Sequence, residues 1–171
     1  YPTALLDTPN FEIDDNMHPY WITAVLDKTI GLYGGTDVKG AIITDALTGK
    51  SKYYDIETVK TDKSLNWIDV VYSESLVLEQ YNYHGKLQNG FWNSLIFQND
   101  VNIASTGSGN IAMDDDVWVF TGVTSAESDS SNFGFILINQ RTKEARYYKS
   151  AGATEISAQQ SATDAVQNYG Y

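Results

Sequence analysis

Three consecutive aspartates, Asp114-Asp115-Asp116, are the densest cluster of side chains that could do chemistry. Clustered carboxylates suit a hard cation. Ca2+, which gathers about six to eight oxygens, is the ion such a cluster would take, through Asp114 and Asp116. Successive residues of an extended chain point to opposite sides, so at most two of the three can address one ion. No Asp-x-Asp-x-Asp-Gly loop accompanies them. The plainer reading is an acidic turn entering a strand, with one carboxylate bonding its own backbone. No other cofactor is implied. His18 and His84 are the two side chains that ordinarily titrate near neutrality. His18 precedes Pro19 in a loop, and His84 falls near the end of a helical pattern, where positive charge suits the dipole. Neither belongs to a Gly-x-Ser-x-Gly elbow or a His-Glu-x-x-His helix, and no catalytic residue is assigned. Ser105-Thr106-Gly107-Ser108-Gly109-Asn110 lacks the Lys-Ser/Thr ending of a phosphate loop and reads as a flexible turn.

Aromatic residues are the other candidates for recognition, with 12 Tyr and 4 Trp. Tyr53-Tyr54 and Tyr147-Tyr148 each place one ring on either face of a strand. One ring of each pair is expected under a helix and the other exposed. Tyr54 and Tyr148 are the candidates to stack on a sugar or a peptide. Trp21 and Trp118, at strand centres, are expected in the core.

These residues must be positioned by about one ordinary domain or two small ones, since the chain has 171 residues. Its 11 basic and 22 acidic residues give a net charge of −11. That sign opposes nucleic-acid binding and docking to anionic lipid. The absence of cysteine excludes disulfides, thiolate metal sites and a cysteine nucleophile. A content of 42% hydrophobic and 13% aromatic residues supports a core rather than disorder. No apolar run has the roughly 18 residues of a membrane span. The chain opens at Tyr1-Pro2-Thr3 and stops at Gly170-Tyr171, and reads as a piece of a longer protein.

An internal similarity organises it. Gly40-Ala41-Ile42-Ile43-Thr44-Asp45, a Thr48-Gly49-Lys50 turn and Ser51-Lys52-Tyr53-Tyr54 are matched by Gly134-Phe135-Ile136-Leu137-Ile138-Asn139, Thr142-Lys143-Glu144 and Ala145-Arg146-Tyr147-Tyr148. Each reads as a β-hairpin with a four- or five-residue loop; Gly49 suits a left-handed position that Lys143 would adopt less easily. Upstream, Asp14-Asp15-Asn16 before Trp21 mirrors Asp114-Asp115-Asp116 before Trp118. Downstream, Ser73 caps one expected helix, and Ser157 with Gln160 makes a capping box for another, whose apolar stripe includes Ala158, Ala162, Ala165, Val166 and Tyr169 and whose C-terminal cap is Gly170. The connectors are Gly31-Leu32-Tyr33-Gly34-Gly35 in the first copy and a solvated loop over Ser125–Ser131 in the second. Phe91-Trp92-Asn93-Ser94-Leu95-Ile96-Phe97, apolar, lies where the copies meet and argues that they pack as one body. The expected fold is α+β: two repeats, 1–88 and 89–171, each an antiparallel sheet with a helix on one face.

The apolar strand, Thr-Gly-Lys turn and Tyr-Tyr strand over Gly40 to Asp55, repeated without the turn glycine over Gly134 to Lys149, resemble the PepSY family of small extracytoplasmic modules. Gly34 to Gly40, Glu79 to Tyr83, Asp114 to Trp118 and Ile138 to Glu144 are similar to stretches of uncharacterised Gram-positive envelope proteins. The resemblance implies a PepSY-like fold, an extracellular location, and a membrane anchor in a segment absent from this chain. It supplies no catalytic set. The expected function is a non-catalytic interaction or regulatory module whose partner is a protein or a cell-wall component. The alternatives are binding of cell-wall glycan or peptide through exposed tyrosines, and a hydrolase using carboxylates or His84.

Overall fold

A computed structural model describes residues 4–29, 35–87, 102–125 and 128–166. Apolar residues alternating with polar ones shape a first antiparallel sheet from β1 (Leu5–Leu6), β2 (Asn10–Ile13), β3 (Pro19–Lys28), β4 (Thr36–Asp45) and β5 (Ser51–Asp55). Its order is β1-β3-β4-β5, and β2 also pairs with β3. Opposed residues share a face. Ile22, Ala24, Ala41 and Ile43 therefore point one way, and all are buried. Asp55 then caps α1 (Ile56–Thr61), its carboxylate accepting from the Thr58 N–H. A 3-10 turn (Lys63–Leu65) and an extended segment lead into α2 (Glu74–Leu87), which starts directly after Ser73. Val59, Leu65, Ile68, Val71, Tyr72, Leu76 and Val77 from this stretch are buried with the sheet residues.

A second antiparallel sheet contains β6 (Asn102–Met113), β7 (Asp116–Ser125), β8 (Ser128–Asn139) and β9 (Ala145–Ala153), in that order, followed by α3 (Glu155–Val166). Close packing divides the chain into two compact units. One is Tyr1–Gln80 with Ile111–Trp118 and Asn139–Glu144; the other is Tyr81–Asn110, Val119–Ile138 and Ala145–Tyr171. The turns at 114–115 and 140–144 belong to the first unit. In the second unit Val119, Val123, Ile136, Leu137 and Ile138 are buried, and the hydroxyl of buried Thr121 donates to the Gly107 carbonyl at 2.8 Å.

The expected α+β fold of two repeats, each sheet with a helix on one face, is overturned. The described residues are mostly antiparallel strand, 53% against 22% helix, in two sheets with few helices. Two elements account for much of the difference. Residues 105–110, expected to form a turn, are the middle of β6: their small polar side chains tolerate a strand as readily as a loop. Helix α3 exists, but Ala158 and Ala162 are exposed, as are its other described side chains except Ser157. The methyl groups of Ala158 and Ala162 would in any case remove little apolar area from water. The cap of α3 is also earlier than expected. Thr154 Oγ1 accepts from the Ser157 N–H at 3.3 Å, and its carbonyl accepts from the Ala158 N–H at 2.8 Å. Ser128–Ser131, expected as loop, opens β8. Residues 31–34 of the first connector, the 91–97 segment, and Tyr169 and Gly170 lie outside the described residues.

What the two hairpins do share is register. Gly40 opposes Asp55 and Ala41 opposes Tyr54; Gly134 opposes Lys149 and Phe135 opposes Tyr148. In both, the glycine leaves room for the neighbouring tyrosine. A Cβ at Gly40 would collide with the Tyr54 carbonyl and the Tyr53 hydroxyl, and one at Gly134 with the Tyr148 carbonyl and the Tyr147 hydroxyl.

Candidate functional site

Two surfaces of the first unit gather its chemistry. The first is a polar cleft of about 470 Å³ lined by Ile13, Asp15, Asn66, Trp67, Asp69, Asp114, Asp115 and Arg141. The β6–β7 hairpin builds one wall. Asp114 and Asp115 are its two turn residues, both left-handed (φ 57° and 60°), as a tight two-residue hairpin requires and as Asp tolerates. The turn therefore breaks the extended alternation assumed for the three aspartates. Asp116, the next residue, points inward and is buried.

There Asp116 meets Arg141. The guanidinium donates to both carboxylate oxygens, at 2.7 and 2.8 Å, and Asn139 Nδ2 donates to Oδ2 at 2.9 Å. Arg141 also reaches Asn66 Oδ1 at 3.4 Å. Bidentate pairing of this kind is the strong form of a charged hydrogen bond. Asp116 is thus paired with an internal cation. Among the described residues no three Asp, Glu or His side chains converge to hold a metal ion. Arg141 balances Asp116 and leaves the cleft to the charge of Asp15, Asp69, Asp114 and Asp115. Burial, together with repulsion from Asp116 and Asp115, raises the Asp69 carboxyl above its ordinary value, and Arg141 offsets part of this.

The wall opposite is the 66–72 segment, held at two points. Gln140 accepts through its carbonyl from the Val71 and Tyr72 N–H groups at 2.9 and 2.7 Å, and its side-chain amide donates to the Tyr72 carbonyl at 3.1 Å. Glu12, buried on β2, accepts from the Asp69 and Val70 N–H groups at 2.8 and 3.0 Å. None of these roles was assigned from sequence. Glu12 sits in an alternating strand and Arg141 in a polar turn, and neither spacing reveals a partner in another element. Lys143, in the same turn as Gln140, pairs instead with β4, its ammonium 2.8 and 3.0 Å from the Asp37 oxygens. Burial alone would raise Asp37, but Lys143, the Val38 N–H and Gln80 outweigh it and hold the carboxyl below its usual range.

The second surface is the open face of the first sheet. Phe11 opposes Trp21 across β2 and β3, with the rings edge to face at 5.2 Å. Trp21 is 42% exposed, Phe11 53% and Ile13 48%. Trp21 is therefore not a core residue, whereas Trp118 is, its indole N–H donating to the Met113 carbonyl at 2.9 Å. The two differ because Trp21 alternates onto the face away from Ile22 and its helical cover. Tyr53 shares the open face, and Thr44 and Ser51 hydroxyls meet there at 2.9 Å. Close by, a groove of about 430 Å³ is lined by Ala4, Leu5, Val25, Leu26, Asp27, Lys39 and Tyr53.

Of the tyrosines singled out, Tyr54 is half-buried on the core-facing side, opposite Ala41, with the Lys52 ammonium 4.4 Å from its ring centre. Tyr148 is exposed and stacked on Phe135 at 5.0 Å, with Phe135 in turn 5.7 Å from exposed Phe120. Tyr147 is exposed too. His84 is exposed on α2. His18 lies 3.0 Å from Asp45 and ties the turn before β3 to the β4–β5 turn. Asp14 accepts from the Asn16 and His18 N–H groups, the self-bonding role expected of an acidic turn.

The chain matches no protein-family model, and the comparisons with curated proteins and with solved structures return no match.

Proposed function

We propose that the protein is a non-catalytic, extracytoplasmic interaction module that grips a protein partner across the open face of its first sheet. The observation that carries this is the exposed Phe11–Trp21 pair with Ile13 beside it, large apolar groups left in water on a chain of net charge −11. Aromatic anchors of this kind dominate protein interfaces, because they bury much area at small entropic cost. The extracytoplasmic placement rests on the likeness of 34–40, 79–83, 114–118 and 138–144 to envelope proteins; no described helix is long and apolar enough to cross a membrane.

Capture from a Gram-positive envelope extract tests the reading, with the unaltered chain and an F11S/W21S variant compared side by side. The expected result is a partner retained by the first and lost by the second, at unchanged circular dichroism. Equal retention by both would overturn it, as would turnover of peptide, ester or glycan substrates by the isolated chain. Tyr148 favours a second reading, binding of cell-wall glycan. Its ring, together with Phe120 and Phe135, forms an accessible aromatic platform on the second sheet, and Tyr148→Ala would then abolish polysaccharide binding while leaving protein capture intact.

A further inference from the structure

Glu12 is a carboxylate that the fold has taken out of water without giving it a cation. It is 9% exposed, and it accepts from the backbone N–H groups of Asp69 and Val70, one on each oxygen. Across the sheet it opposes Tyr20 of β3. The segment it holds brings Asp69, a like charge, and beyond Asp69 stand Asp115, Asp116 and Arg141 of the two hairpin turns. Two neutral donors compensate a buried charge only in part.

We propose that Glu12 is a proton-operated latch on the 69–70 segment: ionised, it grips both N–H groups; protonated, it keeps one and releases the other. A carboxylate is acceptor-only with room for both donors, whereas the neutral acid turns one oxygen into a hydroxyl, a donor and a much poorer acceptor for an N–H. Burial raises the Glu12 carboxyl from 4.5 to about 7, against the pull of the two N–H groups, and the Asp69 charge adds to the rise. The exchange therefore falls in the physiological range. Because the folded value lies above the ordinary one, the stability Glu12 contributes is fully present below about 4.5 and is lost as pH rises through about 7. Asp69 is both the neighbour of the latch and a wall of the acidic cleft, so proton uptake at Glu12 changes the hold on that wall.

Amide NMR of the 171-residue chain between pH 5.5 and 8.5 tests this. The Asp69 and Val70 N–H resonances are expected to titrate together with a midpoint near 7, one of them moving toward a free amide on the acid side. In Glu12→Gln both are expected to stay flat. Flat resonances in the unaltered chain would overturn the latch. Titration that survives in Glu12→Gln would also overturn it, pointing to Asp69 instead. If the variant does not fold, the 13C carboxyl signal of Glu12 in the unaltered chain decides: a midpoint near 7 supports the latch, and one near 4.5 rejects it.

Discussion

In the turn at 46–50, one oxygen of Asp45 accepts from the Leu47 and Thr48 N–H groups, and the Gly49 N–H returns to the Asp45 carbonyl. In the turn at 140–144, Asn139 Oδ1 accepts from Arg141 and Thr142, and the Lys143 N–H returns to the Asn139 carbonyl. Gly49 and Lys143 are both left-handed, at φ 71° and 65°. The two turns thus share a backbone plan, yet their surroundings differ. Residues 46–50 are exposed, with Leu47 at 71%, whereas Asn139, Gln140 and Arg141 are at 2, 3 and 9%. The capping residue differs accordingly. The second oxygen of Asp45 faces His18 near water; an aspartate at 139 would instead set a second buried carboxylate against Asp116, and the Asn139 amide donates there. One local geometry serves as a surface turn in one place and as a structural clamp in the other.

That contrast can be broken most strongly at Arg141. Arg141→Ala leaves Asp116 buried without its cation and is expected to destabilise the fold by about 3–5 kcal/mol in urea unfolding. His18→Ala, which removes the corresponding contact of the exposed turn, should cost only a small fraction of that. Equal losses would show that burial does not separate the turns. Next, Asn139→Ala orphans the Arg141 and Thr142 N–H groups in a dry setting and is expected to cost about 2–3 kcal/mol. Asp45→Ala exposes the equivalent groups to water and should cost clearly less.

A third pair tests what the hairpins have in common. Gly40→Ala and Gly134→Ala force the same tyrosine and carbonyl to move, so each is expected to cost about 1–3 kcal/mol, similar in the two hairpins. Unequal losses would limit the likeness to the backbone. The smallest effects are expected at the left-handed positions. A Cβ at Gly49 meets nothing within 4 Å, so Gly49→Ala should cost only the conformational term, about 1–2 kcal/mol. Lys143→Gly relieves that term but loses the Asp37 pair, and its thermal midpoint should scarcely move.

Much of the hairpin architecture was legible in sequence, because an apolar run, a polar turn and a second run of matching length specify both strands and their register. Lys143 in the place of Gly49 made the second turn look harder to form, and it forms nonetheless, tied down by Asp37. The glycine-rich run in β6 carried no apolar alternation, so nothing separated strand from loop. The candidate site was less legible still. The pairing of Asp116 with Arg141 could not be read, since Arg141 lies 25 positions along the chain and only the folded turn brings it within 2.7 Å.

By itself, then, the sequence determined the local elements: the paired strands of the two hairpins, the left-handed place of Gly49, and the absence of any cysteine chemistry. These depend on sterics and periodicity within a few residues. The tertiary structure alone decided which face each strand turns to water, and hence that Trp21 is exposed while Trp118 is buried. It also decided which carboxylates are committed inside. Asp116 holds Arg141 and Glu12 holds the backbone of Asp69 and Val70, because the removal of a charge from water is set by whatever the rest of the chain packs around it.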